Sequence, residues 1–394
     1  MGKVCVKKGQ RPSGALKLTW DKSLLFLALL VVSYTWLGYP ALLWIIRRFF
    51  ATPVTRGEEK PFVSVILAVH NEQEAIAEKL QDCQRILYPD NQMEVLVVSD
   101  HSTDATEEIV ERFATRDARI RLLRSEGRVG KSGVQNQAAQ TARGEILFFT
   151  DANTRTSPDI LQVLVSNFAD PRTGLVTATV HFGQPTDAVT KGQGLYWRYE
   201  LYLREAESDI GILATASGQA MAVRREIVRP IPPIYGEDCI LPLDVRLQNC
   251  RVLHDSRAVV FDTMPHTIAG ELRARIRMTA RNWTGTLSRP AILNPFRFPL
   301  TSFGLLSHKL LRWLTPFLLA IAFAANTVLV LDHQQTILWV IQLLFYLSAL
   351  VGWMLARGDR SAGVFAYPFS FCLANLGFFL GMVMAFRNQR ITAY

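Results

Sequence analysis

An α/β domain set between membrane-spanning helices is the architecture this sequence predicts, and three observations predict it. Long uncharged runs stand near both ends of the chain, strand-like apolar runs alternate with helical patterns between them, and acidic residues fall immediately after those runs. Composition agrees. Of 394 residues, 49% are hydrophobic and 20% charged, with Lys+Arg 43 against Asp+Glu 34 for a net charge of +9. That excludes a disordered tail protein and sits awkwardly with a wholly soluble one. Cys5, Cys83, Cys239, Cys250 and Cys372 are scattered without a C-x-x-C pair, so neither a disulfide framework nor a zinc knuckle is indicated. A reducing compartment is expected for the domain.

Residues 23–46 carry no charge, and at about 1.5 Å per residue they reach across a hydrocarbon core of ~30 Å. A cleavable signal peptide is the competing reading, since Lys3, Lys7 and Lys8 precede the run; its length and the lack of a small-residue cleavage site weigh against it. Residues 313–331, 336–356 and 361–386 repeat the pattern. The connector with Arg357, Asp359 and Arg360 is drawn to the cytoplasm by positive-inside bias, which places the segment before Trp313 there too. The basic N-terminal tail, with Lys3, Lys7, Lys8, Arg11, Lys17 and Lys22, pulls the other way. The expected organisation is a tail over 1–22, a span over 23–46, a cytoplasmic domain over 61–289, an interfacial segment over 290–311, a three-helix bundle over 312–386 and a tail over 387–394.

The domain opens on an apolar, β-branched run at 62–69, ended by His70-Asn71-Glu72, and Ile76, Leu80 and Ile86 then share a helix face. A second buried strand at 95–98 ends in Ser99-Asp100-His101-Ser102-Thr103-Asp104, where Ser102, Thr103 or Asp104 suits a helix cap. Strand-helix alternation continues through 120–123, the helix after Lys131 and 146–149, predicting a mostly parallel sheet with helices on both faces.

Ligands of such sheets bind beyond the carboxyl ends of the strands, and Glu72, Asp100 and Asp151 mark those ends. A lone carboxylate there is ordinarily a cap or turn former, but three at successive ends gather charge at one edge. Carboxylates converging where phosphates bind make sense with a divalent cation between them. Asp151-Ala152-Asn153 offers two oxygen ligands at alternate positions, which suits Mg²⁺ or Mn²⁺ rather than zinc.

The loop Glu126-Gly-Arg-Val-Gly-Lys-Ser132 nearly spells a P-loop, but Ser125 stands where the first glycine belongs. A nucleoside triphosphatase is therefore the lesser reading, and Lys131 with Arg128 is read as countering phosphate charge at a helix start. Ser217-Gly218 lies in a turn that allows close backbone approach to a ligand. Gly236-Glu237-Asp238 opens a helical pattern through Ile240, Leu243 and Val245, where an acidic pair alone is ordinary dipole complementation.

Taken in order, these residues resemble a membrane-anchored family 2 glycosyltransferase of the GT-A fold, in the cellulose-synthase-like superfamily. The resemblance runs from Gly38-Tyr39-Pro40 through the motifs above, with Thr150-Asp-Ala-Asn-Thr154, to His308-Lys-Leu-Leu-Arg-Trp313. It implies a nucleotide-diphosphate sugar donor, usually a UDP-sugar, and inversion at the anomeric carbon. By the same resemblance Ala68, His70, Glu72 and Asp100 hold the nucleoside, and Asp151 with Asn153 sits at the metal and diphosphate. Lys131, Gly218 and Arg277 also belong to the donor site, and Asp238 is the general base. The implied acceptor is lipid-linked or a glycan, in cell-surface or extracellular polysaccharide synthesis, a setting that admits polysaccharide-export proteins as partners.

Two departures stand out. Asn153 replaces the second acid usual in the metal motif, which weakens the site or shifts it onto another ligand, His266 being one candidate. The Gln-x-x-Arg-Trp sequence of polymerising members is reduced to Ala274-Arg275-Ile276-Arg277-Met278, which favours addition of a single sugar. Arg273, Arg277 and Arg281 form one helical stripe, suited to anionic headgroups or to the diphosphate; without interleaved aromatics it does not suit nucleic acid. Trp197, Tyr199, Glu200 and Tyr202 suit either an acceptor channel or core packing. A non-catalytic membrane partner of a polysaccharide complex is the rival from another class, the weakened metal motif being its argument.

Overall fold

The computed structural model describes residues 13–183, 188–334, 336–358 and 360–387; Lys3, Lys7, Lys8 and Arg11 of the basic tail, Asp359 and the tail beyond residue 387 lie outside them. A helical rod opens the chain: α1 (Ser13–Ser33), a π-helical turn at Tyr34–Gly38 and α2 (Tyr39–Phe50). The domain follows as β1 (Val63–Val69), α3 (Ile76–Gln84), β2 (Met93–Ser99), α4 (Thr106–Ala114), β3 (Ile120–Arg124), α5 (Gly130–Thr141), β4 (Ile146–Thr150), β5 (Arg155–Thr156) and α6 (Ile160–Ser166). It continues through β6 (Thr173–Phe182), α7 (Ala188–Asp209), β7 (Ala220–Arg224), α8 (Glu237–Leu247), β8 (Arg251–Asp262) and α9 (Ile268–Leu287). The chain then enters α10 (Pro299–Gly304), a second π-helical turn at Leu305–Leu310, α11 (Leu311–Leu331), α12 (Thr336–Arg357) and α13 (Ala366–Phe386).

The inner strands are apolar on both sides because both faces of the sheet are covered. Val63, Val65, Leu67 and Val69 face one core with Ile76 of α3, Val110 of α4 and Leu161 of α6. Ile66 faces the other, with Val134 of α5 and Leu241 of α8. Among the described residues the strands run in the order β3-β2-β1-β4-β7-β6-β8-β5. β1 pairs parallel with β2 and β4, and β8 with β6, while β7 enters antiparallel to β4 and to β6, so a mostly parallel sheet takes in a reversed strand and is mixed. The reversal matters for placement. Ala220, the first residue of β7, lies beside Thr150 at the end of β4, and β8 runs parallel to β6 so that it ends at Asp262 on the same side. One edge therefore collects the ends of β1, β2, β4 and β8 together with the turn entering β7.

Four stretches, Trp20–Phe50, Pro299–Leu331, Thr336–Arg357 and Gly363–Phe386, are long and apolar enough to cross a membrane. They expose Leu30, Leu37, Trp44, Ile337 and Leu344, a density of large apolar side chains suited to lipid rather than water. The segment read as interfacial, 290–311, includes exposed Phe296 and Leu300 and passes through α10 and the π-helical turn straight into α11.

α13 packs against α11 and α12 and has a further partner in the domain. It lies along α9: Phe369 and Leu373 cluster with Ile268 and Leu272, Gly377 faces Arg275, Gly381 faces Thr279, and Phe386 meets Trp283 edge-on. Gly377-x-x-x-Gly381 is the small-residue spacing that lets two helix backbones approach closely. A Cβ on Gly381 would stand 2.7 Å from Thr279 Cβ and 2.8 Å from the Ile276 carbonyl oxygen. Gly381→Leu is accordingly expected to push α9 off α13 and to cost about 1–3 kcal/mol, seen as a lowered thermal midpoint of the detergent-solubilised protein. An unchanged midpoint would contradict the close packing of the two helices.

Candidate active site

At the collecting edge of the sheet a single ammonium ties three elements together. Lys131, at the start of α5, places Nζ 2.7 Å from Asp151 Oδ1, just past β4, and 2.7 Å from Glu237 Oε1, at the start of α8. Burial opposes the lysine's charge, but the two carboxylates outweigh it and hold the ammonium above its ordinary pKa. The same partner carries Glu237 below the usual carboxylate range against a burial that pushes it up.

Asp238 is the neighbour of this pair and has the opposite fate. Burial raises its pKa, the adjacent Glu237 carboxylate raises it further, and Arg281 and Lys131 only partly offset them. A carboxyl lifted in this way is suited to proton exchange. Arg281 reaches the cluster from α9: a Cβ at Gly236 would lie 2.5 Å from both Arg281 Nη2 and Asp238 Oδ1, so only glycine lets cation and acid close over that turn. Gly218 fills the next gap, where an added Cβ would stand 3.5 Å from both Asp238 Cβ and Glu237 Oε1.

The structure thus brings together Lys131, Asp151, Gly218 and Asp238 of the residues predicted from sequence. Glu72 stands near enough for Asp151, after burial, to push its carboxyl up. Ala68 and His70 lie at the end of β1, His70 with Nδ1 2.8 Å from the Asp100 carbonyl oxygen. Asp100 itself is fully buried, and its carboxylate accepts from the backbone N–H groups of Val129 (2.7 Å) and Gly130 (3.0 Å). It shapes the loop into α5 from below. That geometry also disposes of the P-loop reading, because amides a phosphate would need are already occupied. Above it Asn71 and His101 both adopt left-handed backbone, at φ 54 and φ 58, a conformation rare for side-chain-bearing residues. Asn71 Oδ1 accepts from Thr103 N at 2.8 Å, which locks the two strand ends together.

On the basic stripe, the sequence singled out Arg277, but Arg277 is exposed and Arg281, one turn later, is the guanidinium coupled to Asp238, Glu237 and Asp151. Asn153 and His266 are also exposed. Among the described residues no three His, Cys, Asp or Glu side chains are grouped so as to hold a metal ion. The donors near Asp151 are hard oxygens, and Asp262 is close enough to be pushed up, after burial, by the Asp151 charge. Such a set fits Mg²⁺ or Mn²⁺ completed by water and substrate oxygens.

Two contributors lay outside the sequence reading. Asp262 accepts from Gln219 Nε2 at 3.2 Å and so joins β8 to the turn before β7. Lys79, on α3, is 1% exposed and donates to Thr150 Oγ1 (3.0 Å) and to the carbonyl oxygen of Thr154 (3.0 Å), the residues that bracket Asp151-Ala152-Asn153. Burial lowers its pKa, with Cys83, Asp82 and Asp151 pulling it back up. A lysine ordinarily faces water, but the spacing of Lys79 from Ile76, Leu80 and Cys83 puts it on the buried face of α3, a signal that the sequence reading did not use.

A mixed sheet with acids and cations gathered at its carboxyl edge defines a GT-A-type transferase fold. Residues 64–231 match the profile of glycosyl transferase family 2, and the chain carries a glycosyltransferase family 2 domain. The β-monoglucosyldiacylglycerol synthase of Nostoc sp. is 29% identical over 169 residues, 42% of this chain and 36% of that one. The poly-β-1,6-N-acetyl-D-glucosamine synthase of Staphylococcus epidermidis is 23% identical over 221 residues, 55% of this chain and 53% of that one. The matches span about a third to just over half the length of such curated relatives. Among solved structures, a mannosyltransferase from Pyrobaculum calidifontis in complex with GDP-Man and Mn²⁺ superimposes with a TM-score of 0.67 and 25% identity, covering 90% of this chain and 99% of that one.

Lys79→Met removes the donor that bridges Thr150 and Thr154. Hydrogen exchange of the 150–154 amides should rise about tenfold while β1 and β2 stay protected; unaltered exchange there would show that the loop is held by other means.

Proposed function

We propose that this protein is an inverting glycosyltransferase that moves a sugar from a nucleoside-diphosphate donor to a lipid-linked or glycan acceptor at the cytoplasmic face of a cell membrane. The observation that carries the reading is the meeting of Asp238, Glu237, Lys131, Asp151 and Arg281 at one sheet edge. In a single displacement, an acceptor hydroxyl oxygen bonds to the anomeric carbon as the carbon–oxygen bond to the diphosphate breaks. Asp238 takes the hydroxyl proton on a carboxylate oxygen, a task suited to its raised pKa. Lys131 and Arg281 offset the negative charge that grows on the departing diphosphate. A divalent cation, when bound at Asp151 with Asn153 or Asp262, would supply Lewis-acid neutralisation of that same charge.

UDP-sugars are the first donor class to test, with GDP-mannose next because of the mannosyltransferase that shares the fold. The diacylglycerol and polysaccharide relatives support an acceptor at or near the membrane. Basic residues favour a cytoplasmic domain: Arg47 and Arg48 lie at the end of α2 and Arg357 at the end of α12, both on the side where the chain meets the domain.

Membranes given radiolabelled nucleotide sugars should transfer label, and Asp238→Asn should lower the rate by about 10²–10⁴. Calorimetry on that variant should retain nucleotide binding in the presence of Mn²⁺. Undiminished transfer would overturn the role of Asp238, and absence of both transfer and nucleotide binding in the unmodified protein would favour the non-catalytic partner. A second expectation concerns pH. Because burial and Glu237 raise Asp238, the acid limb of the rate profile should lie above the aspartate reference of about 3.9. Glu237→Gln removes one raising charge and should move that limb to lower pH; a limb that stays fixed would separate the two acids.

A further inference from the structure

Away from the carboxylate edge, the junction between the domain and the membrane helices buries a second ionic cluster. Glu200 and Glu207, on α7, are 2% and 3% exposed, and His308 and Arg312, on the helix entering the bundle, are 1% and 2% exposed. Glu200 is the hub. Its carboxylate receives Lys309 Nζ at 2.7 Å, Arg312 Nη1 at 2.6 Å and Arg204 Nε at 3.1 Å, with His308 Nε2 at 3.1 Å. Glu207 accepts from Tyr39 Oη at 2.6 Å and stands 2.7 Å from His308 Nδ1. Burial works against the Glu200 charge, yet Lys309, His308 and Arg312 hold its carboxyl well below the usual range. Buried ions of this number are costly unless fully paired, and removing one member leaves the others uncompensated.

The cluster does not end at the junction. Arg204, held by Glu200 and resting over the Trp197 ring, also donates from Nη1 to Ser217 Oγ at 2.5 Å. Ser217 N donates to Thr177 Oγ1 at 2.9 Å, Gly218 backs onto Asp238 and Glu237, and the carbonyl oxygen of Gln219 accepts from Thr150 Oγ1 at 2.9 Å beside Asp151. Three consecutive residues therefore join the membrane-borne cations to both halves of the carboxylate cluster. Tyr39 directly follows the π-helical turn Tyr34–Gly38, His308 and Lys309 lie in the one at Leu305–Leu310 and Arg312 lies just past it, so the cluster forms where regular helical register is interrupted.

We propose that Glu200 and Arg204 are positioning residues: through Ser217 they set the Ser217–Gln219 turn against Asp238, so that the geometry of the transfer site depends on the seating of the membrane helices. The kinetic part of this inference rests on the transferase reading above; the exchange part does not.

The test uses the full chain in lipid nanodiscs. Ser217→Ala deletes only the hydroxyl that Arg204 grips, a change small enough to leave folding intact. It should raise hydrogen exchange at residues 217–219 and 236–239, and lower kcat by about tenfold to a hundredfold with donor KM within about twofold. Glu200→Gln keeps the shape of the hub but not its charge, and should raise exchange both at 305–310 and at the turn. Exchange that rises only at 305–310 in Glu200→Gln, or stays at the unmodified level at 217–219 in Ser217→Ala, would overturn the proposal by confining the cluster to holding the junction together. Because exchange needs no substrate, this result stands whatever donor the protein accepts.

Discussion

Acids cannot share one edge of a sheet unless cations stand among them, and the Lys131 ammonium between Asp151 and Glu237 is where that constraint is met. The cations do not come from a single patch. Lys131 arrives on α5, Arg281 on α9 and Lys79 from beneath on α3, while the acids come from β4 and α8. Asp151 and Glu237, brought by two different elements, are thus fastened to one base brought by a third, and the tertiary fold is also part of the charge balance of the site. Asp238 is the exception that makes chemistry conceivable, because burial and the adjacent Glu237 carboxylate raise its pKa more than Arg281 and Lys131 lower it.

Much of this was legible from the order of residues. A strand that is apolar on both sides and stops at an acid is a local signal, and it located Asp151 correctly at the rim. What escaped was set by relations between distant elements. Arg277 and Arg281 share one stripe of α9, and Arg281 is the one that meets the acids because it lies a turn farther along the helix, against Gly236 of the turn into α8. Lys79 falls on the buried face of α3 with Ile76, Leu80 and Cys83, and what the sequence does not display is that Thr150 and Thr154 wait there as acceptors. Asp100 fell at a strand end like the others, yet its backbone partners draw it inside. The outer strands β6 and β8 and the reversal at β7 bring Asp262 and the Ser217–Gln219 turn to the same rim, and no periodicity announces a reversal.

The two ionic clusters differ in what surrounds them. At the sheet edge the side chains of Lys131 and Asp151 keep 20% and 30% exposure, enough for a ligand to compete for them. At the junction Glu200, Arg312 and His308 are sealed, with Arg312 enclosed by the rings of Trp36, Tyr196 and Tyr199. The first arrangement suits exchange of partners and the second suits permanence.

The π-helical turn at Tyr34–Gly38 has a consequence for reading the first span by spacing alone. A π turn holds one residue more than an α turn, so side chains after it are rotated by about 100° from where an uninterrupted helix would put them. Leu25 and Ala28, before the turn, meet α11, and Tyr39 and Leu43, after it, meet α7. That single extra residue lets one rod present different sides to lipid-embedded and aqueous neighbours, a steering joint hidden in an apolar stretch that looks uniform.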